Sequence, residues 1–166
     1  MPFSPLPVLT QTELQTIAEA RHQEALVLLT ADHFSGAHYL LGYVAETALK
    51  ACLCRTLGIT FPTTHGGSGA KKATMTHNLD ELVFLAGLET PLRDHEQQDR
   101  AFAVNWRRVK QWSPEARYTV ISATTRTDVE EFLQALTDPT SGVFTWIKTL
   151  PQWQLPPTSS APSPAA

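Results

Sequence analysis

Cysteine is nearly absent: the chain has two in 166 residues, Cys52 and Cys54. Residues two apart on a helix point in different directions, so this pair forms neither a CxxC-like redox site nor, alone, a metal site. Both read as small core residues of a reduced, cytosolic (cytoplasmic) protein. Positive charge is not in excess. Thirteen Lys and Arg stand against sixteen Asp and Glu, for a formal charge of −3. That excludes a polycation held to nucleic acid by bulk charge, while leaving room for a local basic patch. No apolar run approaches the ~18 residues that a membrane span needs, so no membrane partner is expected. The opening residues MPFSPLPVLT have no basic n-region and no long apolar h-region, so no signal peptide is read there.

Familiar chemical motifs are missing too. His22, His33, His38, His65, His77 and His95 form no HExxH, and no Cys/His group has zinc-site spacing, so no metal site is read. In His65-Gly66-Gly67-Ser68-Gly69-Ala70-Lys71-Lys72 the GxxxxGK[ST] spacing of a P-loop fails. A nucleophile elbow fails there as well, because Ala70 occupies the second position after Ser68. No cofactor motif is present, and none is expected to bind.

What the chain does have is a core. At 42% hydrophobic residues, it can bury one domain, read here as residues 10–150, followed by a tail over 151–166. The tail is rich in Pro, Ser, Thr and Ala and reads as disordered. The most informative segment is 37–53, AHYLLGYVAETALKACL. Wound as a helix it is apolar nearly all round, as a central helix of a bundle is. One stripe interrupts it: Tyr39, Tyr43, Glu46 and Lys50, which fall within roughly 40–60° of one another. Glu46 and Lys50 form an i,i+4 pair in the favourable order. Their apolar surroundings imply a half-buried pair that needs further hydrogen bonds, as a structural brace or as the lining of a groove.

The remaining segments follow helical spacing. A Thr10/Glu13 capping box, with Thr12 as an alternative start, opens a helix of about 20 residues. Ser35 is the predicted cap of the second helix, which stops at Gly58. Residues 1–9 read as a loose arm and 59–76 as an exposed loop. His77-Asn78 lead into a short helix over 79–88, with His77 as its cap or in a polar niche. One long helix is predicted over roughly 92–112, with Pro91 suited to its first turn and Phe102, Trp106 and Val109 inward. Ser113-Pro114-Glu115 is a turn that can start one helical turn through Tyr118. Thr127 and Glu130 have capping-box spacing for the next helix, with Val129, Phe132, Leu133 and Leu136 on its inner face. Val143, Trp146, Ile147 and Leu150 mark a last short helix. Residues 118–123 could form a short strand, but no second strand pairs with it. The prediction is therefore an all-α, up-and-down bundle of four to five main helices with a short C-terminal helix.

Two basic groups are candidates for nucleic-acid contact. Lys71 and Lys72 on the loop could touch a phosphate backbone. Arg107, Arg108 and Lys110, with Trp106 and Trp112 interleaved, suit single-stranded RNA through phosphate contact and base stacking. The competing reading makes the tryptophans core and the cations an ordinary solvated face.

Gly42-Tyr43-Val44-Ala45-Glu46-Thr47-Ala48-Leu49-Lys50-Ala51, then Thr76-His77-Asn78-Leu79-Asp80-Glu81-Leu82, then Trp106 and Arg117-Tyr118, resemble in that order the HEPN family (higher eukaryotes and prokaryotes nucleotide-binding domain). The resemblance covers roughly 14–136, and 138–150 resembles an extension in a bacterial uncharacterised subgroup. It implies a helical bundle, a homodimer, and a cleft near the dimer interface. It also implies a toxin–antitoxin, phage-defence or RNA-processing setting, and a separate partner chain such as a nucleotidyltransferase or antitoxin. Nuclease members carry Arg, four to six residues, then His on a late helix. Here no histidine follows His95, and none of the six has an arginine at that distance before it. The expectation is therefore a non-catalytic HEPN-like protein that binds a partner protein, nucleotide or RNA. Its groove would be lined by Tyr43, Glu46, Lys50, His77, Arg117 and Tyr118, with Lys50 and Arg117 as phosphate contacts. The alternatives are a ribonuclease toxin using His77 as acid or base and Arg117 for charge stabilisation, and a purely structural subunit.

Overall fold

The second predicted helix is the axis of the molecule. A computed structural model describes residues 8–62 and 74–155. Among these residues seven α-helices form and no strand does. They are α1 (Gln11–Thr30), α2 (Phe34–Leu57), α3 (Leu79–Leu85), α4 (Glu89–Gln98), α5 (Arg100–Val109), α6 (Arg126–Thr137) and α7 (Val143–Thr149). Two 3-10 turns, Pro114–Tyr118 and Ile121–Ala123, join α5 to α6. The 118–123 segment predicted as a possible strand falls here, where no partner strand exists.

α2 packs along α1 and also touches α3, α6, α7 and both 3-10 turns. Its enclosure explains why Ala37, Leu41, Val44, Ala45, Ala48, Leu49, Cys52 and Leu53 are all buried. Burying a large aliphatic side chain contributes about 1.5–3 kcal/mol, so this helix anchors the core. The N-terminal cap of α1 is as predicted. Thr10 accepts from the Glu13 amide, and Glu13 accepts from the Thr10 amide. α1 ends in a Schellman turn: the His33 amide donates to Leu28 O, the Asp32 amide to Leu29 O, and Asp32 takes φ +61°. That turn leaves no room for a Ser35 cap. α2 starts at Phe34 with His33 as N-cap and no capping side chain. Gly58 closes α2 in the left-handed conformation, φ +62°.

The predicted helix over 92–112 is two helices. Asp99 breaks it: its backbone turns extended and its carboxylate accepts from the Phe102 amide at 3.0 Å and from the Ser141 hydroxyl at 2.7 Å. The capping box of α6 lies two residues earlier than predicted, between Thr125 and Asp128. Val129, Phe132 and Leu136 point inward as expected, but Ala135 is the fourth buried position and Leu133 is only half-buried. Val143, Trp146, Ile147 and Leu150 are buried, and Lys148 pairs with Glu19 across to α1 at 2.6 Å.

Both ends of the described chain are tied down further than expected. Leu9 and Phe61 exchange amide–carbonyl bonds of 2.6 and 2.8 Å. Trp153 packs on Phe144 with ring centroids 5.8 Å apart. Its carbonyl accepts from the Gln11 and Gln15 amides. Hence 151–154 continue the packed body as a turn, where the composition suggested a tail. The rest of the predicted tail, most of the N-terminal arm, and 63–73 with His65, Lys71 and Lys72 lie outside the described residues.

Candidate functional site

The polar stripe of α2 is not an open face. Glu46 and Lys50 are buried, with side chains 4% and 6% exposed, and the Lys50 ammonium donates to Glu46 Oε1 at 2.6 Å. The pair is thus more deeply enclosed than the half-burial predicted. Desolvating two ions costs several kcal/mol each, so such a pair persists only with good geometry and further partners. Two are present. The Phe61 ring covers the ammonium, its centroid 4.7 Å from Nζ, and the Leu9 bridge holds that ring. On the other side His77 Nδ1 lies 3.0 Å from each Glu46 oxygen.

His77 reaches this position because Asn78, not His77, caps α3. The Asn78 side chain accepts from the Glu81 amide at 3.1 Å. His77, one residue outside the helix, is free to turn back onto α2. Its side chain is 47% exposed, so it forms the outer surface of a buried ion pair. Nε2 makes no hydrogen bond among the described residues.

Upstream on the same stripe, the Tyr39 and Tyr43 hydroxyls lie 3.2 Å apart. Burial first, and the Tyr39 hydroxyl second, push the Tyr43 phenol above its ordinary range. Both rings close on Trp112. Tyr43 meets it at 4.9 Å and 72°. Gly42 makes this possible: a Cβ there would fall 1.9–2.2 Å from the indole. The Trp112 N–H is buried without a hydrogen-bond acceptor and lies among these rings.

The first 3-10 turn carries Arg117 and Tyr118 to the same region. Both are exposed, and the guanidinium carbon lies 4.8 Å from the Tyr118 ring centroid. Hydrogen bonding with Tyr118, then Tyr39, raises the Arg117 pKa further. Among the described residues no carboxylate lies within ion-pair distance of Arg117. Glu115 sits close enough to feel both Arg117 and His77. Its carboxyl is held below the usual range, chiefly by the Ser113 hydroxyl.

Of the six groove residues read from sequence, Tyr43, Glu46, Lys50 and His77 form one connected cluster, and Arg117 and Tyr118 flank it. Their accessibilities differ sharply. Lys50 is enclosed and ion-paired with Glu46, and Arg117 is the exposed cation. The second basic group changes as well. Trp106 and Trp112 are buried, 1% and 6% exposed, and cannot stack on bases. Arg108 pairs with Glu131, Lys110 with Asp80 at 3.1 Å, and Arg107 turns back to the Ala103 carbonyl at 3.2 Å. Arg108 also edges a groove of about 450 Å³ with His38, Trp112 and Phe132.

Phe61 and Glu115 were not read as site residues. Phe61 reaches Lys50 only through tertiary pairing, which leaves no local signal. Gly42 does leave one: a glycine inside an apolar helix marks a close approach. The thiols are no nucleophiles, since burial pushes Cys52 up to about 12 and Cys54 up to about 11. Among the described residues no group of three His, Cys, Asp or Glu could hold a metal ion. No helix among them is long and apolar enough to cross a membrane.

No family model matches this chain, and neither does any curated protein or solved structure with which it was compared.

Proposed function

We propose that this chain is a HEPN-like helical module that binds a phosphate-bearing ligand, RNA in the first instance, without cleaving it. The ligand docks on His77, Arg117 and Tyr118. The observation that carries this reading is the division of labour in the cluster. A buried Glu46–Lys50 pair holds one imidazole at the surface, and Arg117, with no carboxylate in ion-pair reach among the described residues, lies over the exposed Tyr118 ring. A guanidinium supplies fork-shaped donors for phosphate, and an exposed aromatic ring supplies a stacking surface. In the same reading the exposed side chains that follow, Val120 and Ile121, meet a second copy of the chain or a partner such as an antitoxin.

The test is fluorescence anisotropy with a single-stranded oligoribonucleotide, for wild type, His77→Ala and Arg117→Ala. Wild type binds, and affinity falls as salt rises because counterions are released. Each variant weakens binding about 5-fold or more, corresponding to loss of ~1 kcal/mol or more of hydrogen bonding. Absence of binding, or binding that both variants leave unchanged, ends this reading.

One feature favours a second reading. A carboxylate-held imidazole is also the arrangement of a general base, so the ribonuclease alternative uses Glu46, His77 and Arg117. Incubation of the same RNA with the same proteins separates the two. Intact RNA supports binding alone, and cleavage lost in both variants supports the enzyme.

A further inference from the structure

The electrostatics around His77 fix more than its position. An ionised carboxylate is acceptor-only. Glu46 Oε1 takes the Lys50 ammonium at 2.6 Å and both side chains are almost fully enclosed, the arrangement of a buried ammonium–carboxylate pair. The imidazole nitrogen 3.0 Å from both oxygens must then carry a proton. In a neutral ring the other nitrogen is necessarily a lone pair. Among the described residues, Glu115 on the 3-10 turn feels both His77 and Arg117, and Glu81 is held by the Thr76 hydroxyl. Neither carboxylate, nor Arg117, hydrogen-bonds to the ring or competes for Nδ1 among the described residues.

We propose that Glu46, backed by Lys50, is a positioning residue that locks His77 in the Nδ1–H tautomer, so that His77 meets its ligand as a hydrogen-bond acceptor. The ligand group facing Nε2 is therefore a donor, and Arg117 holds an anion beside it. A hydroxyl adjacent to a phosphate has this chemistry, and the ribose 2′-hydroxyl distinguishes RNA from DNA in the same way. This inference rests on the reading that a ligand docks at His77, but the tautomer itself is measurable without one.

Nitrogen-detected NMR of the His77 ring, well above the ordinary imidazole titration range, tests it. Wild type shows a protonated Nδ1 and an unprotonated Nε2. In Glu46→Leu/Lys50→Met neither a carboxylate nor the ion pair faces Nδ1, and the ring loses its Nδ1–H preference. A wild-type ring protonated on Nε2, or averaging between tautomers, overturns the proposal whatever the variants do, so a variant that fails to fold does not rescue it. An Nδ1–H tautomer that persists in folded Glu46→Leu/Lys50→Met overturns it equally. A second arm compares an oligoribonucleotide with the oligodeoxyribonucleotide of the same sequence. Wild type prefers RNA about 5-fold, the worth of one hydrogen bond, and His77→Ala loses the preference. Equal affinity for both polymers overturns the hydroxyl assignment, whereas failure to bind either polymer sinks the proposed function and leaves the tautomer result standing.

Discussion

Lys50 and Glu46 are the residues on which the account turns, and their burial changes what a mutation should cost. On a solvated helix face an i,i+4 pair contributes about 0.3–0.5 kcal/mol. At 4–6% side-chain exposure, removing one partner strands a charge. Lys50→Met should therefore destabilise the protein by about 3–5 kcal/mol. Replacing the whole pair, Glu46→Leu with Lys50→Met, should recover most of that loss, because neither ion is then desolvated. Urea unfolding of the single and double variants measures the difference. Losses that simply add would mean the two groups do not interact.

At the scale of elements, two contacts set how the helices meet. Gly42 lets α2 accept the flat face of Trp112. Gly42→Ala forces the indole outward and should cost about 1–3 kcal/mol, the usual cost of overpacking. It should also disturb Tyr43, which rests on the same ring. Asp99 is the second contact. It caps α5 and ties that end to Ser141 before α7. Asp99→Ala should cost about 1–2 kcal/mol, as loss of a cap does, and thermal unfolding reads both variants. Element types were legible from spacing and caps. α1, α2, α3 and α7 lie where apolar periodicity puts them. The division of 92–112 was not legible, because the residues on either side of Asp99 keep helical spacing. Only the carboxylate's two partners, one of them 42 residues away, reveal the break. Ser35 failed as a cap for a related reason. The preceding helix ends in a Schellman turn whose left-handed residue is Asp32, where a glycine would have been the sequence signal.

For the whole molecule, the question is which surface meets a ligand. Sequence offered two basic faces. Folding pairs Arg108 and Lys110 with carboxylates and takes both tryptophans of that region into the core. It leaves Arg117, Tyr118 and His77 exposed around the end of the α2 stripe. Part of this site was readable: Tyr43, Glu46 and Lys50 share one helix face, and a lone polar edge on an apolar helix needs a partner. That His77 is this partner was not readable, since 31 residues separate it from Glu46 and no local pattern links them. Nor could spacing show that Lys50 is sealed beneath Phe61. The most direct test is a backbone-amide NMR titration with a single-stranded oligoribonucleotide. Shifts concentrated at His77, Arg117 and Tyr118, with Arg107, Arg108 and Lys110 quiet, are the predicted result. Shifts centred on α5, or none anywhere, would contradict it.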